Sequence, residues 1–150
     1  MTKKIPEGFH TLTPSLTIKG AARAIDLYKK AFGAEEIACM KIPGSDKIVH
    51  AVLKIGNSHI FINDVIPGMA AKPAATSFYV YLDNVEAAHK RAVDSGLKST
   101  MQPEDMFWGD RTSSVQDPFG IHWTLATHVR DVSEEEMEKG AREMFSKKAA

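Results

Sequence analysis

From His10 to Ile18, Leu12, Leu16 and Ile18 alternate with Thr13, Ser15 and Thr17. A period of two separates the sets onto opposite faces, which predicts a half-buried strand whose even-numbered face packs on a helix. Past Gly20 the period changes. Ala21, Ala24, Ile25, Tyr28 and Phe32 recur at helical spacing before Gly33, the signature of an amphipathic helix with a glycine stop. Three strands are expected next, over roughly 36–42, 47–55 and 58–64, joined by turns at Pro43-Gly44-Ser45-Asp46 and Gly56-Asn57.

Val65 to Ala75 holds Pro67, Gly68 and Pro73 among small residues and suits a linker. Beyond it Ser77, Tyr79 and Tyr81 alternate with Phe78, Val80 and Leu82, again a strand. Asp83 and Glu86 have capping-box spacing for a helix with Val85, Ala88, Ala92 and Val93 as its apolar face, ending at Gly96. A short strand over Leu97 to Met101, a long irregular loop over Gln102 to Asp110, and strands over Arg111 to Gln116 and Ile121 to Thr127 complete this half. Ser133 and Glu136 form another capping box, opening a helix to about Phe145. Its narrow stripe of Met137, Ala141, Met144 and Phe145 predicts packing on the body or on a partner.

The two halves repeat. Strand, helix and glycine over Thr13–Gly33 recur over Ser77–Gly96, 63 or 64 residues later, and Ile55–Phe61 is echoed by Asp117–Thr124. A repeat of this kind predicts an α+β fold of paired βαβββ modules, each a curved mixed sheet with one helix, around a groove. The expected organisation is one domain over 1–150, with modules at 10–64 and 76–130 and a C-terminal helix at 133–145.

At 43% hydrophobic residues the chain can bury a substantial core, and 19 basic against 19 acidic side chains supply no global field for nucleic acid or an anionic membrane. No apolar run is long enough to span a bilayer, and Met1 to Glu7 lacks the hydrophobic section of a secretory signal, so a cytoplasmic location is expected. Cys39 is the one cysteine and reads as a buried or half-buried strand thiol. Glycine-rich phosphate loops, nucleophile elbows and acidic metal clusters are missing from the sequence.

Three segments carry a family likeness. Ala24-Ile25-Asp26-Leu27-Tyr28-Lys29-Lys30-Ala31-Phe32-Gly33, Asp117-Pro118-Phe119-Gly120 and Met106-Phe107-Trp108-Gly109-Asp110-Arg111 resemble the first helix, the final turn and a loop of the vicinal oxygen chelate superfamily. That superfamily includes glyoxalase I, extradiol dioxygenases and bleomycin-resistance proteins, and the loop is similar to that of the branch named for a phosphonate-operon protein. The resemblance implies that metal-bearing members draw four ligands from the first and last strands of each module. Those positions fall here on Thr13, Phe61, Ser77 and Thr124, none of them ionisable. The usual metal centre is therefore expected to be absent and no cofactor is assigned. A divalent metal in an unconventional site of His50, His59 and His122 is the alternative.

Within the implied fold, alternation turns Thr13, Ser15, Thr17, His59, Phe61, Asn63, Ser77, Tyr79, Tyr81, His122 and Thr124 toward the groove. Rings, hydroxyls and imidazoles of this kind suit a small organic molecule. His59, Phe61, Tyr79, Trp108 and Arg111 are the candidate ligand contacts, and His122 is the candidate proton carrier of any catalysis. Arg111 would grip an anionic group with Asp110 orienting it; a structural Asp110–Arg111 pair is the competing explanation. His10, His89 and His128 read as terminus, helix surface and strand edge. The leading expectation is a metal-independent small-molecule binder that forms a homodimer, with no nucleic-acid or membrane partner. A metal-dependent lyase or dioxygenase stands second, and a structural or interaction protein third.

Overall fold

The computed structural model describes residues 2–149, with side chains through Lys147; Met1 and Ala150 lie outside the described residues. In chain order the elements are β1 (Ser15–Ile18), α1 (Ala21–Phe32), β2 (Glu35–Lys41), β3 (Ile48–Ile55), β4 (Ser58–Asp64), β5 (Thr76–Tyr81), α2 (Val85–Asp94), β6 (Lys98–Asp105), β7 (Asp110–Gln116), β8 (Ile121–His128) and α3 (Glu134–Ala149). They form two mixed four-stranded sheets, β1-β4-β3-β2 and β5-β8-β7-β6. In each, the first strand runs parallel to the last and the remaining pairs are antiparallel. The fold is α+β with paired modules and a C-terminal helix.

Each sheet has a helix face and an outer face. Leu16, Ile18, Ile60 and Ile62 in the first sheet, and Ile121, Trp123 and Leu125 in the second, are buried under the helices. Alternation therefore sends Ser15, Thr17, His59, Phe61, Tyr79, Tyr81, His122 and Thr124 to the outer faces. α1 and α2 pack on each other between the sheets. Tyr28 and Phe32 of α1 place their rings 5.2 and 4.3 Å from the Trp123 ring of β8, so the helix faces share one core. Asp117 joins the modules: it accepts from Tyr28 Oη at 2.7 Å and Trp123 Nε1 at 3.0 Å, and from the Phe119 and Ile121 amides. Burial and the Asp117 bond push the Tyr28 phenol far up, so it stays a donor. A core built this way turns the two outer faces away from each other within one chain.

Several local expectations need correction. The first strand begins at Ser15, five residues later than expected. Pro14 lacks an amide proton and enters the ladder only by accepting from Phe61 N at 2.9 Å. Asn84, not Asp83, caps α2 by accepting from Ala87 N at 3.0 Å. Val93 faces water, while His89 lies on the buried side of the same helix at 6% exposure. The segment expected as a loop after Met101 continues as β6 to Asp105, because irregular register between Met101 and Glu104 lets a strand pass Pro103. Cys39 is exposed on β2, all of whose residues are exposed.

Candidate functional site

The outer face of the second sheet carries the densest polar network. β7 and β8 pair Asp110 directly with His128, and Asp110 Oδ1 lies 2.8 Å from His128 Nδ1. Asp110 Oδ2 accepts from Tyr79 Oη at 2.6 Å and from Tyr81 Oη at 3.0 Å. Trp108 Nε1 donates to Tyr79 Oη at 3.1 Å, and His128 Nε2 lies 2.8 Å from Asp131. Asp110 is 2% exposed, whereas the Tyr79 and Tyr81 rings above it are 44% and 64% exposed. Thr112, Ser114 and Ala126, which register places on this same face, are buried as well. These small buried side chains share the face with the exposed Tyr79 and Tyr81 rings of β5.

The network fixes protonation states. Burial works to raise the Asp110 carboxyl, but hydrogen bonds from Tyr79, His128 and Tyr81 outweigh it and leave the group below its ordinary value. Burial and the bond to Asp110 push the Tyr79 phenol up to about 12, and the bond to Asp110 raises Tyr81. Bonds to Asp131 and Asp110 raise His128. The result is a carboxylate holding two neutral phenols and an imidazole inclined toward its charged form.

The Trp108 loop is clamped from below. Gly109 has φ 97°, and a Cβ there would collide with the Arg130 carbonyl oxygen, which leaves glycine as the residue that fits. The Gly109 carbonyl accepts from Val129 N at 2.9 Å and Arg130 N at 3.1 Å. Gly140 of α3 lies against Phe107, where an added Cβ would stand 2.5 Å from the ring. The C-terminal helix thus rests on the loop that carries Trp108.

On the first sheet the N-terminal segment covers part of the outer face. Phe9 stacks on His59 at 4.3 Å and lies 5.9 Å from Phe61, whose other neighbour is the His50 ring at 4.7 Å. His59 Nδ1 is 2.9 Å from the Gly8 carbonyl oxygen and donates to it. At the junction of the modules lies a cavity of about 650 Å³, with His59, Phe32, Trp123, Arg91, Tyr79 and Tyr81 in its lining.

Of the candidates, His59 and Tyr79 reach this cavity and Trp108 is tied to Tyr79, while Phe61 lies behind Phe9. His122 is half-buried on the outer face beside Ser77 and Gln116, six residues and roughly 20 Å along β8 from His128. Arg111 points elsewhere: it bonds Glu86 and, at 3.2 Å, Asp105. Asp110 does not orient it, because that carboxylate is taken by the tyrosines and His128. Sequence reasoning missed Asp110, Tyr81 and His128 as a unit. Cross-strand register joined them, and the one linear hint was the alternation of Tyr79 with Tyr81.

Thr13, Phe61, Ser77 and Thr124 offer hydroxyls and a hydrocarbon ring, a donor set that does not fit a divalent cation. Among the described residues no group of three or more His, Cys, Asp or Glu side chains is placed to hold a metal ion, so His50, His59 and His122 do not assemble as one.

Comparison with known proteins agrees with this architecture. Residues 9–125 match the profile of the Glyoxalase/Bleomycin resistance protein/Dioxygenase superfamily. An uncharacterized protein of Mycobacterium bovis is 36% identical over 137 residues, covering 85% of this chain and 89% of that protein. The crystal structure of TioX from Micromonospora sp. ML1 is similar at 21% identity and a TM-score of 0.66, over 80% of this chain and 99% of that one. An Arabidopsis thaliana gene product is similar at 26% identity and a TM-score of 0.60, over 78% and 96%.

Proposed function

The chain belongs to the Glyoxalase/Bleomycin resistance protein/Dioxygenase superfamily, and from that premise we propose that it binds a small organic molecule without the superfamily's usual metal centre. The observation that carries this reading is the junction cavity. Its volume of about 650 Å³ falls within the range of small-molecule sites. Apolar walls from Phe32 and Trp123 supply burial, and His59, Arg91 and the two tyrosines supply a few polar groups. Binding alone suffices for sequestration. A lyase or isomerase activity would also require a proton carrier; His122, the candidate from the sequence, lies on the outer face beside Ser77 and Gln116 and not in the lining of this cavity, so it would serve only a reaction on that face.

The loop Met106–Arg111 supports placement in the phosphonate-operon branch. A homodimer belongs to the same proposal. It is supported by an exposed β2 edge carrying Ile37 and Met40 at 54% and 60% exposure. A cytoplasmic location is also proposed; no helix among the described residues is long and apolar enough to cross a membrane.

The test is metal analysis and native mass spectrometry of untagged protein, followed by hydrogen–deuterium exchange with any co-purifying or screened compound. A stoichiometric divalent metal overturns the metal-free reading. Ligand-dependent protection is expected over 58–60 and 78–82; its absence at saturation rejects the cavity as the site.

A further inference from the structure

We propose that the Tyr79–Tyr81 pair, standing over buried Asp110 on the outer face of the second sheet, receives the ammonium or guanidinium group of a small organic cation. This assignment rests on the small-molecule reading above and adds the chemical class of the ligand.

The argument begins with the direction of the hydroxyl protons. Tyr79 and Tyr81 both donate to Asp110 Oδ2, at 2.6 and 3.0 Å. Neither proton is left for a ligand, so the phenol oxygens face an incoming group only as acceptors. Donation to a carboxylate also enriches each ring in electrons, which strengthens its attraction for a positive charge at the face. The ring centroids are 5.3 Å apart and the planes are tilted by 56°, a V instead of a stack. Trp108 adds a third ring system, joined to Tyr79 by its indole N–H.

Local charge points the same way. Asp110 and Asp131 flank one imidazole, His128, so this cluster remains net negative even with the ring protonated. The cations beside this cluster are paired, Arg111 with Glu86 and Asp105 and Arg130 with Glu136, while Arg91, which lines the junction cavity with the tyrosines, donates to the Lys30 and Lys29 carbonyls. An anionic ligand would meet acceptor oxygens over a buried carboxylate, an arrangement that repels it. A neutral apolar ligand would contact the rings but gain nothing from Asp110.

Choline and its uncharged carbon isostere, 3,3-dimethylbutan-1-ol, separate these cases because they match in shape. Both are titrated into the full chain while the aromatic resonances of Tyr79 and Tyr81 are followed by NMR. Choline is expected to shift both residues and to bind at least tenfold more tightly than the isostere. Tyr81→Leu, a change at an exposed position, is expected to weaken choline at least fivefold. Asp110→Asn is expected to narrow the difference between the two probes.

Equal affinity for charged and uncharged probes overturns the proposal, as does a Tyr81→Leu protein that binds choline like the parent. If screened uncharged compounds bind in the junction cavity while choline does not bind, the cation assignment fails and the small-molecule reading stands. If no compound of either kind binds, both fall.

Discussion

The two modules follow one chain path, and each buries a carboxylate near the same end of its sheet, but they aim it in opposite directions. In the first module Asp64, at the end of β4, turns toward the helix layer. It accepts from the Gly20 and Ala21 amides at the start of α1 and from Ile48 N, at 3.2, 3.0 and 2.8 Å. In the second module Asn84 caps α2, and the strand-end carboxylate, Asp110, faces outward to Tyr79, Tyr81 and His128. The first arrangement satisfies backbone donors that would otherwise be stranded. The second leaves the backbone alone and organises exposed side chains. A repeated module needs only one way to close its helix start, which frees the equivalent region of its copy to present a surface.

The contrast predicts graded losses of stability. Asp117→Ala should be the most damaging, by about 4 kcal/mol in urea unfolding, because two buried ring donors and two backbone amides lose their acceptor at the junction. Asp64→Ala should cost about 2–3 kcal/mol through three unsatisfied amides. Asp110→Asn should cost about 1 kcal/mol, since its partners are side chains that can turn to water. An Asp110→Asn loss equal to that of Asp64→Ala would erase the distinction between an inward structural carboxylate and an outward organising one.

The smallest effects are those of two histidines in the second module, and they have opposite signs. Bonds to Asp131 and Asp110 raise His128, so its stabilisation is complete below about pH 6.5 and is lost as pH rises through the higher native value. His128→Gln should flatten the decline of stability across roughly pH 6 to 8. His89 is lowered by burial, with Nε2 2.9 Å from Ser99 Oγ and Nδ1 buried without a partner. It favours the folded state above about pH 6.5 and loses that contribution as pH falls through the lower native value. His89→Gln should therefore flatten the acid side instead. Thermal unfolding against pH distinguishes the two; identical profiles would show that neither environment differs from water.

Much of this was legible in the letters. Alternation at Ser15–Ile18 and Thr76–Tyr81, helical spacing at Ala21–Phe32 and the 63- or 64-residue repeat determined the modules, because strand and helix periods are local consequences of backbone geometry. The pair Ser133 and Glu136 likewise announced the start of α3, where Glu136 N donates to Ser133 Oγ at 3.1 Å. Tertiary structure alone decided the rest. Asp110 meets Tyr79 and Tyr81 across 31 and 29 residues of chain, His89 is buried because Ser99 of β6 lies beneath it, and Arg111 answers to Glu86 on α2. Such contacts depend on which strands lie side by side and in what register, and a linear pattern constrains the face of a residue without naming the neighbour it will find there.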